Sequence, residues 1–214
     1  MISLPVLEIL VTSTAFLILL IYHIHLIHQL RKAPMTTSIG LTNHLRLEWV
    51  QSVRRDKRDI LAVQTMRNWV MASSFLASTA VLISLAIINA ALRPDTSSGI
   101  PAALNLVGTT SQGLWLIKLM VLLLDFFFAF FNFALSVRYY NHASFVINTP
   151  AEHDQFLTSD YVTKVLNRGT THYTLGMRAY YLAVPFVLWL FGPTWMLGGA
   201  ILITAILYKV DRII

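Results

Sequence analysis

Residues 179 to 208 read Ala-Tyr-Tyr-Leu-Ala-Val-Pro-Phe-Val-Leu-Trp-Leu-Phe-Gly-Pro-Thr-Trp-Met-Leu-Gly-Gly-Ala-Ile-Leu-Ile-Thr-Ala-Ile-Leu-Tyr, an apolar stretch broken at Phe191-Gly192-Pro193. A single helix from Tyr173 to Tyr208 would be about 54 Å long against a hydrocarbon core of ~30 Å, too long even when tilted. Glycine ends helices and proline starts them, so Gly192-Pro193 reads as a turn between two spans. Trp189 and Trp195 flank that turn as interfacial aromatics would, and Arg178 and Lys209 mark the opposite surface.

Working outward, Val6 to Ile27, Trp69 to Leu92 and Gly113 to Leu135 are each long enough for the roughly 20 residues of a membrane-crossing helix. With 56% hydrophobic and 12% charged residues and a mean hydropathy of +0.64, a soluble globule is excluded. The reading is all-α, a single transmembrane domain over residues 1–214. Five spans lie near 4–28, 66–92, 113–140, 173–191 and 194–209, joined by cytoplasmic loops 29–65 and 141–172 that carry short interfacial helices. The alternative is four spans with a kinked last helix. The first run has no basic residue before it and exceeds a signal-peptide core, so it is kept as a helix.

With the amino terminus outside, all sixteen Lys and Arg residues except Arg93 and Lys118 fall on one side. Four spans would move Lys209 and Arg212 across as well, so the positive-inside rule prefers five. The expected location is the bacterial inner (plasma) membrane, multi-pass. The basic residues flank spans and report orientation, so no nucleic acid partner is expected. There is no cysteine, which excludes disulfides and thiolate chemistry.

Locally, residues 33–43 read as loop, with Asn43 capping a basic helix whose Leu45, Trp49 and Val53 share one face. The second membrane helix starts near Asp59. Ser73 with Ala77 and Ser74 with Ser78 are small pairs suited to close helix packing. Arg93 to Gln112 reads as a polar loop. Ser159 caps a short helix through Leu166, which Gly169 stops.

Lys118, Asp125, Asn132 and Tyr139 recur every seven residues, a polar stripe along the third membrane helix. An ionised aspartate at that depth costs about 2.5–3.5 kcal/mol on insertion scales, so Asp125 needs a partner, water or a proton. One reading is an ion path or an oligomer seam. The other is interhelical glue, with Asp125 bonded to Thr12, Thr14, Ser78 or Thr79. His25 and His28, with His142 and His172, could share a metal or haem at the cytoplasmic side, since neutral imidazole suits such ions, although no pair has a signature spacing. No nucleotide loop, zincin helix or Gly-x-Ser-x-Gly elbow is present; a catalytic dyad from Asp154, Asp160 and His172 is conceivable, but exposed acids beside a helix start usually just cap it. No enzyme activity and no cofactor are expected.

Three segments carry a family resemblance: Ile60-Leu-Ala-Val-Gln-Thr-Met-Arg-Asn-Trp-Val-Met-Ala-Ser-Ser-Phe-Leu-Ala-Ser-Thr-Ala, Ala129-Phe-Phe-Asn-Phe-Ala-Leu-Ser-Val-Arg-Tyr-Tyr-Asn-His, and Gly176-Met-Arg-Ala-Tyr-Tyr with Leu188-Trp-Leu-Phe-Gly-Pro. They resemble the bacterial and plant membrane proteins grouped as the domain of unknown function 599 family. The resemblance implies a multi-span helical protein without an assigned reaction. It also implies a lysine in many relatives where Asn132 stands, so a charge partner for Asp125 inferred from the family is missing here. Its motifs collect Gln64, Arg67, Asn68, Arg138, Asn141, Arg178 and Tyr180 near the cytoplasmic surface, a cluster able to hold an anionic headgroup or ligand, or to act as a structural clamp.

The function expected first is a non-catalytic membrane subunit or scaffold, whose partners are the bilayer, other membrane subunits or copies of itself, and anionic lipid headgroups. A homo-oligomeric channel or transporter lined by the stripe is the alternative. A redox subunit using the histidines is the third.

Overall fold

A computed structural model describes residues 4–93, 105, 111–149 and 158–212. These form six α-helices: α1 (Leu4–Lys32), α2 (Ser38–Arg55), α3 (Asp59–Ala91), α4 (Gln112–Ile147), α5 (Ser159–Trp189) and α6 (Pro193–Asp211), with a 3-10 turn at Pro34–Thr36. Four of them, α1, α3, α4 and α6, are long and apolar enough to cross a membrane. That is the count of the four-span alternative rather than the preferred five, because the polar first half of α5 keeps that helix out. The last segment is nevertheless divided, not kinked. Gly192 lies at φ +138°, a conformation open to glycine alone, and Pro193 begins α6.

Neighbouring contacts fix how the helices run. Trp69 meets Tyr140 and Ser73 meets Ser136, so α3 and α4 are antiparallel. Phe126 meets Tyr180 and Tyr140 meets Thr170, so α4 and α5 are antiparallel too. Pro185 and Leu188 flank Gly199 while Arg178 reaches Asp211, which sets α6 antiparallel to α5. Phe16 of α1 packs on Phe186 and Trp189, and Tyr22 of α1 on Ile203 and Leu207. The helix starts and ends therefore collect at two faces: one holds α2 and nearly all the basic residues, here called the basic end, and the other holds Glu8, Lys118 and the Gly192 turn.

A central core from Leu19, Ala77, Leu122, Phe133, Ala183 and Met196 joins five helices. A second, around Val50, Val53, Met66, Tyr140 and Leu166, seats α2 on the basic end. The outer faces are apolar: Ile9, Leu17 and Ile24 on α1, Met71, Phe75 and Leu82 on α3, and Leu124 and Phe131 on α4 are all exposed. Apolar bands of this extent suit lipid rather than water.

Several local expectations change. The first turn of α2 is capped by Thr37, whose side chain accepts from Gly40 N, so helix replaces most of the expected 33–43 loop, and Asn43 instead accepts from Arg46. The buried face of α2 is Arg46, Val50 and Val53; Leu45 is exposed. Helix α4 continues past Tyr140 to Ile147. Gly169 does not stop a helix: α5 runs unbroken from Ser159, and Gly169 is where the Tyr140 ring lies, 2.8 Å from where a Cβ would stand. Trp189 is buried in the core rather than interfacial, whereas Trp195 is exposed. The expected loop from Arg93 to Gln112 lies largely outside the described residues.

Candidate functional site

The α4 stripe is buried over much of its length, and its members meet different neighbours. Lys118, 4% exposed, directs its ammonium at the Trp189 ring, 5.5 Å from the centroid, with the Glu8 carboxylate near enough to attract it. Asn132 donates from Nδ2 to Phe128 O at 2.9 Å, and its Oδ1 lies 3.0 Å from His172 Nδ1. Because that oxygen can only accept, His172 Nδ1 carries the proton. The His172 ring stacks on Tyr139, centroids 5.4 Å apart and planes within 6°. The two lower members of the stripe are thereby joined by a residue of α5.

Asp125 stands between these anchored ends. Its Oδ2 is enclosed and has no hydrogen-bond partner among the described residues. The hydroxyls expected to serve it are engaged elsewhere: Thr14 donates to Leu10 O, Ser78 to Ser74 O and Thr79 to Phe75 O. Thr12 Oγ1 is enclosed without a partner as well.

Among the described residues, no hydrogen bond joins the seven residues of the basic-end cluster to one another. Gln64, Arg67 and Asn68 are exposed on α3, and Arg138 and Asn141 on α4. Arg178 is buried, and its Nη2 donates to both carboxylate oxygens of Asp211, at 2.5 and 2.6 Å, while Tyr22 OH donates to the same carboxylate. This knot ties α1, α5 and α6. Tyr180 OH donates to Leu76 O at 2.6 Å, linking α5 to α3. Arg178 is therefore held as a structural clamp, at the same end of the bundle as Lys209. Arg138 keeps other company, lining an open cavity of about 440 Å³ with His142, Tyr161, Lys164 and Arg168.

The four histidines proposed as ligands meet different neighbours. His172 is held as described, His142 Nε2 lies 3.2 Å from Tyr161 OH, and His25 and His28 are exposed on α1. Among the described residues no three His, Asp or Glu side chains converge as a metal site. Asp160 sits in the first turn of α5, as a capping acid would, and Asp154 lies outside the described residues.

Sequence reasoning missed Glu8, Tyr22, Arg46 and Asp211. For Asp211 a signal existed: it is the one acid after Asp160, in a chain where a buried arginine requires a counter-charge. For Arg46 none did, since it sits among Arg54, Arg55, Lys57 and Arg58 in a basic segment.

A family model described as Protein of unknown function, DUF599, matches residues 10–214. No curated protein matches, and no solved structure does.

Proposed function

We propose that this chain, which belongs to the DUF599 family of proteins of unknown function, is a non-catalytic subunit or scaffold of the bacterial inner membrane that associates with other membrane proteins or with itself. The observation that carries this reading is how the polar side chains inside the bundle are used. Arg178 with Asp211 and Tyr22, Asn132 with His172, Ser73 with Ser136, and Tyr180 with the α3 backbone all join helix to helix. What the protein offers its surroundings in the bilayer is then the apolar outer faces of α1, α3 and α4, where association rests on packing. We orient the amino terminus outside, so that the basic end is cytoplasmic, with the apolar second half of α5 as a fifth crossing.

Native mass spectrometry of protein released gently from its own membrane tests this. A stable hetero-complex or a homo-oligomer is expected. A monomer carrying lipid alone would sink the proposal.

Asp125 favours a second reading, a homo-oligomeric channel or transporter, because an enclosed carboxyl oxygen without a partner among the described residues is costly unless water, a proton or an ion visits it. On that reading Asp125→Asn changes ion flux through reconstituted vesicles. If mutant and parent vesicles both leak no faster than empty ones, the channel is ruled out.

A further inference from the structure

Arg46 is 7% exposed and lies on the buried face of α2, where that helix crosses the basic end of the bundle. Both of its hydrogen bonds leave from Nη1, to Asn43 Oδ1 and Asn167 Oδ1, and among the described residues no carboxylate pairs with it. A buried cation answered by amide oxygens alone carries a desolvation cost that only an opposite charge fully offsets. Burial accordingly pulls its guanidinium below the ordinary arginine range. Elsewhere in this protein the buried arginine, Arg178, does have its carboxylate.

Arg46 also lines a cavity of about 310 Å³ bounded by α2, α3, α4 and α5. That volume lies at the lower end of the roughly 300–1,000 Å³ typical of small-molecule sites. Its lining combines the Arg46 cation with Thr42 and Thr170, whose hydroxyls donate to the backbone at Ser38 and Leu166, and with the apolar or aromatic residues Trp69, Ala72, Tyr140 and Tyr173. Thr42 and Ala72 are both exposed, so the cavity is open to the exterior. Ala72 lies six residues past the start of the 66–92 span expected from the sequence, about 9 Å deeper by helical rise. On that expected span the charge sits at the membrane boundary and the apolar wall descends into the hydrocarbon.

We propose that this cavity is a binding site for an anionic amphiphile, with the phosphate of a lipid headgroup paired to Arg46 and its apolar portion lying along Trp69, Ala72 and Tyr173. A planar guanidinium with free donors suits a phosphate oxygen pair. Two other cavities with basic linings, one beside Arg138, Lys164 and Arg168 and one beside Arg55 and Lys57, offer exposed charges that attract any anionic surface without selecting an occupant.

Purified full-length protein in detergent, titrated with phosphatidylglycerol or with phosphatidylcholine and read by native mass spectrometry, tests the site. The parent should retain phosphatidylglycerol preferentially. Arg46→Gln should weaken that retention roughly ten-fold or more, the loss of a charge-assisted hydrogen bond. Ala72→Phe, which fills the apolar wall and leaves the arginine in place, should weaken it too. Equal retention of the two lipids by the parent overturns the proposal, as does parent-like retention by both Arg46→Gln and Ala72→Phe. Displacement of phosphatidylglycerol by millimolar inorganic phosphate overturns it as well, since the site would then hold a small anion.

Discussion

Asp211→Ala is expected to destabilise the protein by about 3–5 kcal/mol, because it leaves the Arg178 guanidinium buried without its counter-charge. Both side chains are only 10% exposed, and the arginine spans both carboxylate oxygens. The carboxylate also receives Tyr22 OH, so one substitution releases α1 and α5 from the end of α6 together. The measurement is thermal unfolding in detergent, followed by circular dichroism and by the monodispersed fraction on size exclusion. Arg178→Met combined with Asp211→Leu should recover much of the loss, since a buried pair replaced by apolar groups of similar volume is often neutral. If Asp211→Ala melts like the parent, water reaches the pair and the clamp assigned here is wrong.

That clamp shows where the sequence could be read and where it could not. Apolar run length placed α1, α3, α4 and α6 directly, because a lipid-facing helix must be apolar on nearly every side. The Gly192-Pro193 turn was legible for an equally local reason, the glycine conformation and the proline start being written in adjacent residues. Gly169 misled because the absence of a Cβ serves two ends: it can release a helix, and it can admit a neighbour. Here it admits Tyr140, which comes from 29 positions away in the chain. Arg178 is legible as a marker of the basic end but less readily as half of a buried pair, its partner lying 33 residues downstream on another helix. Seven-residue spacing did find the α4 stripe. It could not show that His172, weighed only as a metal ligand or catalytic partner, is the residue that joins Asn132 and Tyr139.

The α4–α5 crossing supplies the second large effect. Phe133 is fully buried, with its ring edge against Tyr173 and Tyr180, and it occupies the space left by Gly176, where a Cβ would stand 2.8 Å from the ring. Phe133→Ala is expected to cost about 3 kcal/mol, the low end for such truncations, because in lipid the loss is one of packing and cavity more than of transfer from water. Gly176→Ala should cost about 1–3 kcal/mol through overpacking against the same ring. The two faults are opposite in sense: one opens a void where the other adds a methyl group. Phe133→Leu with Gly176→Ala should therefore be more stable than the sum of the single changes by about 0.5 kcal/mol or more, the coupling expected of residues in direct contact. Chemical unfolding of the four proteins in one detergent, analysed as a double-mutant cycle, measures it. Strict additivity would mean that α4 and α5 do not meet at Phe133 and Gly176, and the register linking Asn132 to His172, four residues away on α5, would fall with that contact.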